Sequence, residues 1–505
     1  MGSNTYILKI YDKPIARFEF VAQEGGPDKA INLEIDPRYT HLMPMNIISR
    51  PTDEELGRFL GFRRIPRNRK YVEAIMLKLG LAPNDVRGII DIAKGVSVND
   101  AYSILPEDKD EPFDTYNLFD NKFDDYLAIF AYTGIPPEGE RGKYSTTPEL
   151  STQGRFPKAW RRINEKLHLF KAGNPEPSFY DGREPFSEYL SSQLLMAAGI
   201  NATQYELTDW HDMTCTTCEL FNNKDISFVS FAQSLDFAKS QTYAMNKTLA
   251  FDYLLTYGEE VLEDYKTMAA FDTIIVNTDR HTNNFGFLRD NKTGEVIGFA
   301  PSFDYNLSLF TTIADTGLTR EKRAERLFGI EGTFDIDLKN QLELYCGDRQ
   351  REAVKRLVDF EFQTSGYIDE FNAMYPYAQH GVSKERISNL NDHVELAVSS
   401  ILGDRRHREL AIGYFKFEPK INIEDEQTKV GWPDDNLQEE TQGFVLDEVT
   451  AMLSQTQVSL DAQDPFAPKE SAKDKIARAG GGTSVRPDEG DLGSRGTQQT
   501  RPDDR

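Results

Sequence analysis

Two carboxylates and one amide in the middle of the chain have the types and the order that phosphoryl transfer needs. Asp279 and Asn284 stand five residues apart in the stretch DRHTNN, and Asp304 follows twenty residues after Asn284. A carboxylate can accept the proton of the attacking hydroxyl, and carboxylate and amide oxygens are suitable ligands for Mg²⁺. The pattern therefore favours Asp279 as the general base, with Asn284 and Asp304 as metal ligands.

A hairpin is predicted to bring these residues together. The apolar run 285–288 is followed by the turn DNKTG at 290–294 and by a second apolar run at 296–300. Turn residues between two apolar runs indicate a β-hairpin. Because a hairpin places its two ends side by side, Asp304 is expected to lie near Asn284 and Asp279. Helical periodicity over 247–257 and 259–276 predicts the helices that present this loop.

His281 stands inside the same stretch and could also act as a base. Asp279 occupies the position that the motif gives to the base in kinases, where the catalytic aspartate precedes the metal-binding asparagine. We therefore interpret His281 as a residue that orients the catalytic loop through its ring nitrogens.

Phosphoryl transfer from a nucleotide also needs a cation on the phosphates, and the chain offers one upstream. Lys171 ends the strand-like segment LHLFK, and Glu188 lies in the first turn of a helix predicted over 186–198. A strand lysine that contacts the α- and β-phosphates, held by a helix glutamate, is the arrangement of protein kinases. Glu188 alone would equally suit the dipole of the helix, so the interpretation depends on the pair and its position ahead of the loop.

The stretch DRHTNN resembles the catalytic loop of the HipA-like serine/threonine protein kinases of bacteria, and its spelling also occurs in phosphatidylinositol 3/4-kinases. The resemblance to the HipA-like group is wider, because it includes the return segment APSFD at 300–304 and pieces spread over about residues 45–310. It implies an α+β, two-lobed kinase-like fold with an N-terminal cap domain and a mostly helical C-lobe. It also implies ATP and Mg²⁺ as cofactors.

The same resemblance assigns residues around the nucleotide. The letters STQG from Ser151 to Gly154, called the STQG loop below, match the family's Ser-x-x-Gly loop, and Lys158 matches the basic position after it. The resemblance places these three residues at the phosphates. In the family the loop serine can be autophosphorylated, which ejects the loop and switches the enzyme off. Ser151 stands at that position, whereas Arg155 and Pro157 depart from the commoner small and acidic residues.

The segment 213–221 reads as a strand followed by a turn and contains Cys215 and Cys218. A Cys-x-x-Cys spacing invites a zinc or redox interpretation. The chain has only one further cysteine, so no second pair exists to complete a metal site. We instead interpret the segment as a hinge strand, in which Glu219 to Phe221 supply backbone contacts to adenine.

Composition limits the classes of partner and compartment. The chain has 505 residues, enough for about two to four domains, and a net charge of −24. An acidic balance disfavours broad nucleic-acid binding, and no apolar run approaches the roughly 18 residues of a membrane span. The three cysteines do not suggest a disulfide framework. We expect a cytoplasmic protein with neither a membrane nor a direct nucleic-acid partner.

Four regions are expected: an N-terminal cap domain at 1–140, a kinase-like N-lobe at 141–223, a helical C-lobe at 224–421 and a disordered acidic tail at 422–505. In the cap, two strands form a hairpin around residue 13, and a polar link leads to a helix that Thr52 and Glu55 cap. A basic segment at 58–70 is open to two interpretations, a solvated face or a site for a phosphate or a partner.

Taken together, these features predict an ATP- and Mg²⁺-dependent serine/threonine protein kinase that acts on a protein substrate. A lipid or small-molecule kinase is an alternative, because the catalytic stretch is shared. A non-catalytic interaction protein on a kinase-like scaffold is a second alternative. Some HipA-like proteins are toxins that a small DNA-binding partner neutralises, so the resemblance also leaves an antitoxin-like partner open.

Overall fold

Antiparallel sheets and helices alternate along the chain, so the fold is α+β, as the sequence predicts. The structure is a computed structural model that describes residues 3–23, 26–82, 85–123, 125–138, 146–174, 182–244, 246–309, 319, 322, 330, 332, 336–364, 366–374 and 382–403. The tail predicted at 422–505 lies outside the described residues.

The strands are β1 (Thr5–Ile10), β2 (Lys13–Gln23), β3 (Gly26–Ile35), β4 (Tyr102–Pro106), β5 (Lys158–Ile163), β6 (Lys166–Ala172), β7 (Glu206–Trp210), β8 (Met213–Glu219), β9 (Ile226–Ser230), β10 (Gly286–Asp290) and β11 (Val296–Phe299). The helices are α1 (Met45–Ser49), α2 (Asp53–Gly61), α3 (Val72–Leu79), α4 (Val86–Ala93), α5 (Asp125–Thr133), α6 (Glu184–Ala197), α7 (Phe231–Ser234), α8 (Phe237–Ala244), α9 (Lys247–Leu255), α10 (Glu259–Ile275), α11 (Leu338–Tyr345), α12 (Asp348–Lys355), α13 (Gly366–Met374) and α14 (Lys384–Leu402). Within the described ranges, none of these helices has the length and apolar content of a membrane span.

The first sheet has the strand order β3-β2-β1-β4 and contains the predicted hairpin. Thr52 caps α2 as predicted, because its hydroxyl accepts the Glu55 N–H at 3.3 Å. The prediction of a polar link up to Pro51 is wrong, since β3 and α1 lie within it. β3 is an edge strand in which only Ala30 is buried, although its sequence alternates apolar and polar residues over 31–35, the pattern that marks a strand.

The second sheet has the order β5-β6-β8-β7 and places the cationic side chains on one face. Lys171 lies opposite Lys158 on β5 and opposite Thr216 on β8. Directly opposed residues of antiparallel strands point to the same face, so these three side chains share one. The other face buries Phe170 and Cys215 against Tyr132 of α5.

α6 covers the lysine face of that sheet. It begins at Glu184, two residues before the predicted start. Glu188 therefore lies in the second turn, and the prediction that it lies in the first is wrong. Its position on the buried face of α6 depends on contacts with the sheet and not on the helix dipole.

The third sheet, with the order β11-β10-β9, contains the predicted hairpin after the DRHTNN stretch. α10 leads into this stretch and buries Phe271 and Ile274 in a core shared with Phe285 and Phe287. The buried helix and the hairpin thus hold the two ends of the DRHTNN stretch between them.

The basic segment at 58–70 mostly contacts other parts of the protein. Arg58 donates to the backbone oxygens of Ala232 and Leu235, and Arg63 forms an ion pair with Asp100 at 2.7 Å. Both guanidinium groups are thus bonded within the protein, and they do not form a solvated face.

Candidate active site

An ion cluster formed by Lys171, Glu188 and Asp304 lies where β6, α6 and the end of the hairpin meet; we call it the lysine cluster. The Lys171 ammonium lies 2.6 Å from Glu188 Oε1 and also contacts the Asp304 carboxylate. Thr216 donates its hydroxyl to Glu188 Oε2 at 2.6 Å. Glu188 is thereby fixed on both oxygens, with a side chain only 1% exposed. The three residues come from positions as far apart as 133 residues in the chain.

Lys171 and Asp304 hold each other ionised, whereas burial raises the pKa of Glu188. Burial acts to raise the pKa of Asp304, but the charges of Lys171 and Lys158 keep this pKa well below its usual range. Burial lowers the pKa of Lys158 to about 7, and the like charge of Lys171 adds to the effect. Lys158 is buried beside the cluster. An anionic ligand would meet two lysines on this face, and its negative charge would raise the pKa of Lys158.

The catalytic stretch is folded as a tight loop. The Asp279 N–H donates to Asn277 Oδ1 at 3.1 Å, and Asn284 Nδ2 donates to the Asp279 carbonyl at 3.0 Å. Burial raises the pKa of Asp279, against the opposing influence of His281, and the negative charge of Asp304 raises it further. The hairpin therefore brings the carboxylate at its end into electrostatic contact with the carboxylate before its start.

His281 is exposed in this loop, and its contacts are local. The backbone N–H of His281 donates to the Asp279 carbonyl at 2.9 Å, and its ring Nδ1 accepts the backbone N–H of Asn283 at 3.2 Å. These bonds hold the turn after Asp279, which supports an orienting role.

Arg280 is a buried residue of this site that could not be singled out from the sequence. Its buried guanidinium donates to both oxygens of Asp272, at 2.8 and 3.0 Å. It also donates to the carbonyls of Asn284 at 2.8 Å and Phe303 at 2.5 Å, and to Ser302 Oγ at 3.3 Å. We call this set the arginine cluster. It joins α10, the catalytic loop and the hairpin end, so it fixes the separation of the proposed base and metal ligands.

Two residues at the ends of this segment have left-handed backbone. Val276, which ends α10, has φ of +52°, and Asp304 has φ of +61°. Left-handed backbone is uncommon for residues other than glycine, and most of all for a β-branched one, and such strain is often found at functional sites. The Asp304 N–H donates to the Tyr205 hydroxyl at 3.1 Å, which helps to hold the turn.

The predicted hinge, Glu219 to Phe221, lies at the end of β8 and contacts the end of the hairpin. The Phe221 ring lies 5.6 Å from Phe303 and 5.5 Å from Phe228, measured between centroids. Glu219 is exposed and forms an ion pair with Lys166 at 2.8 Å. Its carboxylate thus points to the surface, and only its backbone is a candidate for adenine.

The STQG loop precedes β5. Gly154 has φ of +98°, and a Cβ there would lie 2.2 Å from Lys158 Nζ, so the loop needs glycine at this position. The Ser151 side chain is buried and donates to the Val96 carbonyl at 3.1 Å. Its hydroxyl therefore faces the predicted cap and not the lysine cluster.

The residues present suit a magnesium ion better than zinc. Among the described residues, no group of three or more His, Cys, Asp or Glu side chains could hold a metal. Asn284 and Asp304 are hard oxygen donors, and Mg²⁺ needs only one or two of these beside phosphate and water. The Asn284 amide nitrogen bonds the Asp279 carbonyl, so its amide oxygen is the atom that would face a cation. Cys215 and Cys218 are free thiols in β8.

Comparison with known families identifies one part of the chain. Residues 138–361 match the model of the HipA-like C-terminal domain. This match confirms the resemblance seen in the sequence, and it contains both the lysine cluster and the arginine cluster. The protein is therefore kinase-like. Its residues 138–361 form a HipA-like C-terminal domain.

The solved structures that are similar to this chain include the following two. The proinflammatory kinase CtkA of Helicobacter pylori is 19% identical, over 52% of this chain and 94% of its own, with a TM-score of 0.39. HipA of the Shewanella oneidensis MR-1 toxin–antitoxin system, solved with HipB and its operator DNA, is 12% identical, over 79% of this chain and 97% of its own, with a TM-score of 0.46. No curated protein sequence matches the chain.

Proposed function

We propose that this protein is an ATP- and Mg²⁺-dependent HipA-like serine/threonine protein kinase. The observation that carries the proposal is the lysine cluster, in which Lys171, Glu188 and Asp304 meet although the chain separates them widely. A kinase needs this strand lysine, this helix glutamate and this metal-binding aspartate at one place.

Asp279 would accept the proton of the substrate hydroxyl. Burial and the charge of Asp304 raise its pKa, which makes its carboxylate a better proton acceptor. Asn284 and Asp304 would bind Mg²⁺, and Lys171 would contact the phosphates while Glu188 orients it. ATP would supply the γ-phosphate and Mg²⁺ would neutralise the phosphate charge.

The remaining predicted residues would surround the nucleotide. The backbone from Glu219 to Phe221 would bind adenine, and Gly154 and Lys158 would lie over the phosphates. The domain boundaries at residues 140, 223 and 421 stay predictions, as does an antitoxin-like partner. A protein substrate follows from the proposed transfer to Ser or Thr.

Autophosphorylation at Ser151 is a further part of the proposal. The Ser151 hydroxyl is buried and donates to the Val96 carbonyl. A phosphoserine carries close to two negative charges and cannot donate that bond. Modification would therefore expel this segment from its buried position. Phosphosite mapping of active and inactive protein tests this: Ser151 bare in both would remove the regulatory role.

The test of the proposed function is transfer of labelled γ-phosphate from ATP in the presence of Mg²⁺, to the chain itself and to added protein substrates. Wild type is compared with Asp279→Asn and with Asp252→Asn, a matched control because Asp252 is exposed on α9. Label with wild type and Asp252→Asn, and none with Asp279→Asn, supports the proposal. Label that Asp279→Asn retains in full contradicts it.

A further inference from the structure

A buried ion pair ties the predicted cap to the segment that contains the STQG loop. Arg69 lies between α2 and α3, and its side chain is fully buried. Its guanidinium donates to Glu149 Oε2 at 2.9 Å, to the Thr152 carbonyl at 2.9 Å and to the Lys158 carbonyl at 2.7 Å. One planar group thus reaches both the entry and the exit of the loop.

Glu149, the ion-pair partner of Arg69, also contacts the strand that follows the loop. Its Oε1 accepts the Trp160 N–H at 2.8 Å, and its side chain is 1% exposed. The carboxylate therefore connects the residue before the loop to the strand after it. Arg69 and Glu149 thus hold both ends of the loop in place, which fixes the positions of Gly154 and Lys158.

The rest of the loop rests on the same part of the cap. The Lys70 N–H donates to the Arg155 carbonyl at 3.0 Å. Gln153 Nε2 donates to the carbonyls of Phe62 and Arg64, at 3.3 and 3.1 Å. The loop is therefore held by residues 62–70, which belong to the basic segment at 58–70 for which the sequence left two interpretations open.

Stability alone is a poor explanation for such a pair. Burying two charges is expensive, and apolar residues of similar size often serve a core at least as well. What an arginine adds is a rigid fork that bonds several acceptors at set angles. Here those acceptors are the two ends of one loop, which points to control of the position of that loop.

We propose that Arg69, with Glu149 as its partner, is a positioning residue that holds the STQG loop over the nucleotide phosphates. The cap then contributes to the nucleotide site without touching the nucleotide. The role of the loop in covering phosphates rests on the proposed function, whereas the restraint on the loop does not.

The test measures the loop and the nucleotide separately in the full-length chain. The variants are Arg69→Met, Arg69→Lys and Glu149→Gln, and the control is Arg87→Met. Arg87 also bonds several acceptors within the cap, but it contacts Asp28 and Tyr6, away from the loop. Amide hydrogen exchange over 149–160 is followed without nucleotide, and KM for ATP and kcat are measured with Mg²⁺.

We expect Arg69→Met to speed exchange in this segment about tenfold or more, and Arg87→Met to leave it unchanged. The KM for ATP should rise by about tenfold while kcat changes much less, because binding and not chemistry is weakened. Arg69→Lys should rescue little, since an ammonium cannot span the same acceptors. Glu149→Gln, which keeps the shape, should show an intermediate effect.

Wild-type exchange in Arg69→Met, or equal acceleration in Arg87→Met, would overturn the proposal. Full rescue by Arg69→Lys would also overturn it, because charge alone would then suffice. If Arg69→Met does not fold, Arg69→Lys and Glu149→Gln decide by the same exchange measurement. If wild type neither binds ATP nor transfers phosphate, the proposed function fails, and the exchange data still decide whether Arg69 restrains the loop.

Discussion

The lysine cluster and the arginine cluster both bury ionised side chains around the segment 272–304, but their bonds are distributed differently. In the arginine cluster, Arg280 bonds both oxygens of one carboxylate and two backbone carbonyls. In the lysine cluster, one ammonium serves the carboxylates of Glu188 and Asp304, which belong to different elements.

This difference in bonding indicates which of the two clusters is suited to binding a ligand. A guanidinium that is bonded on all sides acts as a fixed joint, because any movement breaks several bonds together. An ammonium is a point charge that can exchange one oxygen ligand for another. The contact of Lys171 with Asp304 can therefore give way to phosphate oxygens while Glu188 stays in place. The arginine cluster then fixes the geometry of the loop and the hairpin end, and the lysine cluster is suited to binding phosphate.

The largest expected effect is on the transfer rate and comes from Asp279, which belongs to neither cluster. Asp279→Asn removes the proposed base but leaves the Asn284 bond to the backbone carbonyl at position 279. We expect phosphate transfer to fall by about 10³-fold, within the usual range for a general base, with ATP affinity and unfolding unchanged. Measured transfer rates test this against Asp252→Asn. A loss of transfer that is matched by loss of folding would speak against a chemical role.

The next effect distinguishes the two clusters by stability. Arg280→Met leaves the buried Asp272 carboxylate without its ion-pair partner, which typically costs about 3–5 kcal/mol. Lys171→Met should cost less, because Glu188 keeps its bond from the Thr216 hydroxyl and, with its pKa raised by burial, can take up a proton, while Asp304 is partly exposed. Urea unfolding of both variants compares them. If Lys171→Met destabilises the protein as much as Arg280→Met, the proposed division between joint and binding site is wrong.

A smaller effect is expected at the STQG loop. Gly154→Ala forces a side chain into a left-handed backbone position and against Lys158 Nζ. Such strain costs on the order of 1–3 kcal/mol, and we expect the loop to shift in order to relieve it, which should weaken ATP binding about tenfold with little change in overall stability. Calorimetric titration measures the affinity. The control is Gly57→Ala, since an added Cβ at Gly57 on α2 meets nothing within 4 Å.

The smallest effect concerns pH. Burial, with the charge of Lys171, lowers the pKa of Lys158 to about 7 from an ordinary value of 10.5. Between these values the unfolded chain binds more protons than the folded one, so this group makes stability rise with pH. From about pH 7.5 to about pH 9, wild type should gain roughly 1–2 kcal/mol relative to Lys158→Met. Parallel pH curves for the two proteins would contradict this.

Local patterns made part of this arrangement predictable. The turn DNKTG between apolar runs predicted the β10–β11 hairpin, and the hairpin alone required Asp304 to return towards Asn284. Lys171 and Glu188 could be paired because their order along the chain matches that of a kinase. The alternation of apolar and polar residues over 31–35 could have predicted β3, but it is short and lies between polar stretches that contain Pro27 and Pro37.

The arginines could not be paired from the sequence. Arg69 meets Glu149 across 80 positions, and Arg280 meets the Phe303 carbonyl across 23. Many of their acceptors are backbone carbonyls, which every residue possesses, so no residue type marks the partner. An arginine beside the proposed catalytic aspartate is a signal only once its burial is known.

The central claim is that the lysine cluster binds the phosphates of a nucleotide, and calorimetric titration with Mg²⁺ and a non-hydrolysable ATP analogue tests it most directly. Wild type, Lys171→Met and the control Lys247→Met, which changes an exposed lysine of α9, are titrated in parallel. We predict binding to wild type and to Lys247→Met, and a loss of at least about tenfold in affinity for Lys171→Met, the effect of about 1.4 kcal/mol. Equal binding to all three proteins, or binding to none, would contradict the account.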